Sequence, residues 1–236
     1  HEGPIFGVPL ITLADTGLAI QELEWALKAG ARCIGIRPAP VPGYRSSRSP
    51  GSPDLDPFWA RCAEAKIFVN LHLSDSGYDA HYRRWSGGEG KENGSFQKSD
   101  PLIDMLDPMG RPISDMVSAL IGHGVPDRHS DIRFVSVENG SSWVQPMLRT
   151  FKKVYGQLPK SFARDPVETF RRHFFVVPFY EDDIRWLADN LGSNRVLFGS
   201  DYPHAEGLGQ PLDFLHELKG FDASETRRIM SDNMQG

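Results

Sequence analysis

The sequence predicts an α/β fold of the (β/α)8 TIM-barrel type, with parallel strands covered by helices. Three observations predict it. Apolar runs of roughly four to eight residues, rich in Val, Ile and Phe, alternate along the chain with amphipathic segments. Neither G-x-G-x-x-G nor G-x-x-x-x-G-K-[ST] occurs, so the doubly wound alternative lacks its usual phosphate fingerprint. Finally, 236 residues with 39% hydrophobic and 24% charged side chains are enough to close a full core, while 23 Gly and 18 Pro argue against one long helical bundle. A single domain over residues 1–236 is expected.

The elements follow in order. Residues 5–13 form the first apolar run, and Asp15-Thr16 then caps a helix whose stripe runs through Leu18, Leu23, Ala26 and Leu27 until Gly30 closes it. Residues 33–37 make a second strand, followed by a Pro-, Gly- and Ser-rich surface loop at 38–53. Asp56-Pro57 opens a helix through Phe58, Trp59, Cys62 and Ala63, and residues 67–73 form a third strand that ends near His72. Residues 74–98 are polar, aromatic and Gly-rich, too long for an ordinary connection, and form a candidate active-site loop. A helical region spans 101–122 with a break at 108–110, and residues 132–137 are the fourth strand.

Trp143, Met147, Leu148, Phe151 and Val154 carry helical spacing, and Asp165-Pro166 starts another helical turn. Residues 174–180 are the fifth strand. Glu181 and Asp182 suit the start of the next helix, whose stripe of Ile184, Leu187, Ala188 and Leu191 ends at Gly192. Residues 195–200 are the sixth strand, and a terminal helical segment covers 211–234. Six strands are fewer than a barrel's eight, so either two escape the pattern or the chain is a fragment.

Composition narrows the partners. With 26 Lys plus Arg against 31 Asp plus Glu, the net charge of −5 and the absence of a basic run speak against nucleic acid. No apolar stretch reaches the length of a membrane span, and His1-Glu2-Gly3-Pro4 has neither part of a secretory signal, so a cytoplasmic location is expected. Cys33 and Cys62 fall in predicted strand and helix, as buried small hydrophobes.

In a barrel the reacting groups come from the C-terminal ends of the strands. The polar residues there are Arg37, His72, Glu138, Tyr180 and Asp201, with His204 three residues beyond. Imidazole and carboxylates converging from different strand ends suit a divalent cation, zinc or manganese. His123, His129, His173 and His216 read as structural, His173 at the opposite, stability face.

The run Val196-Leu197-Phe198-Gly199-Ser200-Asp201-Tyr202-Pro203-His204 resembles the final barrel strand of the amidohydrolase superfamily, specifically the amidohydrolase-related group that includes metal-dependent decarboxylases of aromatic acids. Phe68-Val69-Asn70-Leu71-His72 is similar to that group's fifth strand, and the likeness continues through Glu138-Asn139-Gly140-Ser141-Ser142-Trp143 and Tyr180-Glu181-Asp182-Asp183. It covers essentially the whole chain.

The resemblance implies one divalent ion, Zn2+ first and Mn2+ as the alternative, held by His72 and Asp201, with Asp201 handling the proton of the reaction. It implies a small, aromatic or cyclic carboxylic acid as substrate. Hydrolysis would have Asp201 accept a proton from attacking water, and decarboxylation would have it deliver one to the ring carbon. Arg37 would pair with a substrate carboxylate, Trp143, Tyr180 and Tyr202 would wall a planar ring, and His204 would touch substrate or a second ion.

Two departures accompany the likeness. No two histidines are separated by a single residue, so the family's first-strand His-x-His pair is missing. Residues 5–13 then correspond to the third strand, strands three to eight are present, and a homodimer or larger homo-oligomer is expected to cover the exposed edges. Glu138 stands where many members carry a His, and is open to three roles: ligand, general base, or a group that orients His72. The competing reading is a non-catalytic barrel remnant or binding module with an incomplete metal site.

Overall fold

The protein is described by a computed structural model over residues 5–87, 101–107, 109–205 and 207–235. Its centre is a parallel sheet of β1 (Cys33–Ile36), β2 (Phe68–His72), β3 (Arg133–Val137) and β4 (Phe174–Val176), in that spatial order. Strands adjacent in sequence are adjacent in space and all run the same way, which makes the sheet an arc of a (β/α) barrel. The register sets Ile36 beside Leu71 and His72 beside Val137, so the strands' C-terminal ends share one rim.

The sheet is flanked by the other two expected strands, each reduced to a single parallel bridge. Along β1, Gly35 donates to Pro9 O and Ile11 donates to Gly35 O. The ladder goes no further because Arg37 O is taken by Ala39 N in the following turn. At the other edge Val196 bridges Val176, and Leu197 donates to Val176 O. There Pro178 has no N–H to continue the pairing, which also ends β4 at Val176 rather than at Tyr180.

Alternation gives the sheet two faces. Ile34, Ile36, Val69, Leu71, Phe134, Phe174 and Val176 join the main core with the helices. Cys33, Phe68, Val135, Phe175 and Leu197 form a smaller cluster on the other, concave-side face. Both cysteines are free and buried, as expected.

The helices cover the main-core face. In α1 (Thr16–Lys28) the Asp15 carboxylate accepts from Leu18 N at 2.9 Å, and Gly30 follows with φ +87°. Its buried side is Ala19, Leu23 and Ala26; Leu18, expected in that stripe, is exposed because, five residues before Leu23, it lies about 140° around the helix from it. α2 (Asp56–Ala65) buries Phe58, Trp59, Cys62 and Ala63, the residues expected. α3 (Asp79–Ser86) lies inside what sequence marked as a loop; its apolar content is too low for periodicity to reveal it. The rest of that loop, from residue 88, lies outside the described residues, as do residues 1–4.

α4 (Pro101–Met105) and α5 (Gly110–Gly122) occupy the expected helical region on either side of its break. α6 (Val125–Arg128) leads into β3, α7 (Val144–Gln157) and α8 (Pro166–His173) connect β3 to β4, and α9 (Ile184–Leu191) follows β4. The cap of α9 is Asp183, one residue later than the acidic pair expected there. The terminal segment divides into a 3-10 turn at Pro211–His216, α10 (Ala223–Met230) and a 3-10 turn at Asp232–Met234. Among the described residues no helix is long and apolar enough to cross a membrane.

Candidate metal centre

The rim collects side chains from three strand ends. His72 is the last residue of β2, Glu138 follows β3, and Asp201 follows the segment paired with β4. Glu138 and Asp201 both adopt left-handed backbone, φ +59° and +53°, a conformation that costs a non-glycine residue about 1–2 kcal/mol. Strain of this kind persists only where surrounding contacts hold it.

Side-chain clasps from two neighbours do so for Glu138. The Asn139 side-chain amide donates to Leu71 O at 3.0 Å and to Val137 O at 2.7 Å, tying together the residues that precede His72 and Glu138. Beyond it, one oxygen of Asp182 accepts from Ser141 N at 2.7 Å and Phe179 N at 2.9 Å, locking the turn after β3 to the turn after β4. Gly140, φ +58°, lies against the Phe179 ring with no room for a Cβ.

His72 Nδ1 lies 2.8 Å from Leu73 O and 3.2 Å from a Glu138 carboxylate oxygen. Both neighbours are acceptors, which assigns the proton to Nδ1 and leaves the Nε2 lone pair available. His204 Nδ1 lies 3.5 Å from the other Glu138 oxygen and 3.2 Å from Asp201 Oδ1. Glu138, Asp201 and His204 each offer one ligand atom within 4.8 Å of the others. Two carboxylates and an imidazole facing one point are the donor set of a divalent cation, so the residues fit such an ion. His72 stands outside that trio and joins it through Glu138; His72 and Asp201, the two ligands expected from the resemblance, are thus linked through Glu138 and His204.

The other expected site residues divide. Arg37 is exposed at the end of β1, donates to Asp75 O at 3.1 Å, and lines a cavity of about 340 Å3 with Leu10, Ile36, Val41 and Met116. Tyr180 is partly buried, and the neighbouring Glu181 carboxylate holds its phenol above the usual range. Tyr202 is exposed. Trp143 is a correction: it is only 2% exposed, its indole N–H donates to Gly140 O, and its ring packs edge-on against Phe170. It builds the core beneath the Glu138 turn and presents no wall to a ligand. His173 is buried with Nδ1 on Ile132 O, away from the rim, as expected. Sequence reasoning took Asn139 only as part of the likeness and Asp182 as part of it and of the next helix's start, missing their bracing roles; the Glu-Asn-Gly run after a strand was the available signal, since it marks a turn with positive φ.

Fold and rim together define a (β/α)-barrel-type chain with carboxylates and histidines gathered at its strand ends, a group of the kind that can hold a cation. The family profile described as Amidohydrolase matches residues 1–233. The chain belongs to that family. It is similar to the crystal structure of an amidohydrolase, map2389c, from Mycobacterium avium subsp. paratuberculosis K-10, with 42% identity and a TM-score of 0.88 over 97% of this chain and 57% of that one. The chain therefore spans little more than half the length of that structure. It also shares its fold with a dihydroxybenzoic acid decarboxylase from Polaromonas sp. JS666 solved with manganese and 2-nitroresorcinol: 16% identity, TM-score 0.74, 98% of this chain and 68% of that one. The 5-carboxyvanillate decarboxylase LigW from Sphingomonas paucimobilis is alike at 15% identity and TM-score 0.74, over 97% of this chain and 64% of that one.

Proposed function

We propose that the chain carries the cation site and substrate rim of an enzyme that removes carbon dioxide from a small aromatic carboxylic acid. The observation that carries this reading is the convergence of Glu138, Asp201 and His204 within 4.8 Å. The decarboxylases named above share the fold, which supports the choice of reaction.

Glu138, Asp201 and His204, with His72 as a fourth candidate, would hold one divalent ion, Zn2+ or Mn2+. When bound, the ion supplies Lewis acidity toward the substrate's oxygens. Asp201 moves the proton: its carboxyl delivers H+ to the ring carbon that bears the carboxylate. The bond to the carboxylate then breaks, its electron pair returns to the ring, and CO2 leaves. Solvent restores the proton on Asp201. His204, 3.2 Å from Asp201, orients that carboxyl, and Glu138 is itself fixed by His72. Arg37 anchors the substrate through a bidentate pair with an acidic group, and Tyr180 borders the ring.

The test is metal analysis and activity on one preparation. The protein, dialysed against Mn2+ or Zn2+, should hold one ion per chain, with affinity at least about tenfold lower in Asp201→Asn and His204→Ala. CO2 release from a panel of hydroxylated benzoates should disappear in both variants. A folded protein that retains no divalent ion refutes the reading, and release of amine or alcohol instead of CO2 would assign hydrolysis to the same residues.

A further inference from the structure

We propose that the cavity between the turn after β2 and the helices α3, α4 and α5 binds the ammonium group of a small organic amine, at a site apart from the rim. The cavity holds about 190 Å3 and is bounded by Asp75, Tyr78, Asp79 and Tyr82 with the apolar Ile103 and Pro112. None of its lining residues is a Lys, Arg or His, and none belongs to the trio of Glu138, Asp201 and His204. The observation that points to a ligand is Tyr82. It is 4% exposed, yet its hydroxyl is buried without a hydrogen-bond partner among the described residues. An unpaired buried hydroxyl opposes folding, and phenylalanine would pack the same ring without that cost. Tyr78, by contrast, donates its hydroxyl to Asp115 at 2.6 Å, so only one of the two phenols is left waiting for a partner. Burial holds the Tyr82 phenol above its ordinary range, so at neutral pH it keeps its proton and offers oxygen lone pairs.

Charge selects the ligand. One oxygen of Asp75 accepts from Gly77 N at 2.9 Å, and the Arg37 guanidinium nearby reaches the Asp75 main-chain oxygen rather than its carboxylate. Asp79 meets Arg83 only at 3.5 Å, with both side chains about half exposed, so water screens that pair. Around the Tyr82 phenol the charge of Arg111 is set against those of Asp79, Asp107 and Asp115. An anion is therefore repelled. A metal ion is poorly served as well, because Asp75 and Asp79 have no third His, Cys or carboxylate ligand beside them among the described residues. An ammonium asks for less: a few acceptors for its three N–H groups and an aromatic face. The two carboxylates and the Tyr82 oxygen are the acceptors, and the Tyr78 and Tyr82 rings, 6.2 Å apart, supply the face. Ile103 and Pro112 suit a short apolar tail, and the small volume excludes a large one.

The test titrates the protein at neutral pH and low salt with n-butylammonium, n-butanol and butyrate, probes of one chain length and different charge, following the NMR amide shifts of Gly77 and Tyr82. Butylammonium should saturate with a dissociation constant of about 1 mM, and the other two should bind at least about tenfold more weakly. Tyr82→Phe, which removes one oxygen and keeps the ring, should weaken butylammonium at least about fivefold while melting no lower than the wild type. Asp75→Asn should weaken it about tenfold, and so should NaCl at about 0.5 M. Equilibration with Mn2+ should leave the constant within about twofold, since the rim trio shares no residue with this cavity. The proposal is overturned if butylammonium does not saturate, if the three probes bind alike, if Mn2+ displaces it, or if Tyr82→Phe binds as the wild type does. A melting temperature several degrees lower in Tyr82→Phe would also overturn it, by revealing a structural partner for the hydroxyl. So would saturation by Mg2+ in place of butylammonium, which would make the cavity an inorganic cation site. None of these outcomes depends on whether the rim removes carbon dioxide.

Discussion

Asp182 joins the two turns that shape the rim, and its replacement tests how the site is held. Its Oδ2 accepts from Ser141 N at 2.7 Å and Phe179 N at 2.9 Å, and no other protein group bonds that oxygen among the described residues. Hydrogen bonds to a charged acceptor contribute about 1.5–3 kcal/mol each. Asp182 is only partly buried, so the lower figure applies, and Asp182→Ala should destabilise the protein by about 3 kcal/mol. Because both bonds end on one oxygen, Asn at this position keeps the geometry and loses only the charge. Asp182→Asn should therefore cost about 1 kcal/mol. For a chain of this size 1 kcal/mol moves the melting temperature by about 2–4 °C, so the two variants should melt about 6–12 °C and 2–4 °C below the wild type. Urea titration supplies the free energies directly. Since the Ser141 turn carries Glu138, Mn2+ affinity should fall about tenfold in Asp182→Ala and less in Asp182→Asn. Equal losses in the two variants, or a loss under about 1 kcal/mol in Asp182→Ala, would refute the bracing argument.

Burial holds the His173 imidazole below its ordinary value, so the unfolded chain takes up its proton first as pH falls. The stability linked to His173 is intact above about pH 6.5 and is lost below it, down to the folded value; melting curves between pH 8 and 5 should show this loss reduced in His173→Asn. Gly140→Ala places a Cβ 2.7 Å from the Phe179 ring at φ +58°, and should cost at least about 2 kcal/mol by urea titration. Burial pushes the Cys62 thiol up to about 12 and raises Cys33 as well. Neither should react with a thiol reagent at pH 8 in the folded protein, and both should react once it is denatured.

Much of the architecture was legible along the chain because local signals carry it. Asp15 and Gly30 bracket α1, Phe58, Trp59, Cys62 and Ala63 repeat at helical spacing, and the apolar runs before His72 and Glu138 are strands buried on both faces. The flanking segments misled for a reason equally physical. Residues 195–200 read as a strand by composition, yet a strand exists only through its neighbour's hydrogen bonds, and Pro178 removes one of them. α3 hid in a polar stretch because its burial rests mainly on Tyr82, too little for a periodic stripe. Trp143 was misplaced because aromatic character does not reveal which side of a turn a ring occupies.

The order of polar residues after apolar runs is a property of the sequence alone, and it nominated His72, Glu138, Asp201 and His204 before any distance was known. Which of them meet was decided by the folded chain. The positive φ at Glu138 and Asp201, the Asn139 and Asp182 clasps, and the position of His72 beside Glu138 rather than within the trio all depend on how four strands align at one rim. The physical reason is range. Capping, turn formation and apolar periodicity act over a few neighbouring residues and are written in their order, whereas a cation site is the meeting of groups more than sixty residues apart, which only packing and register bring together.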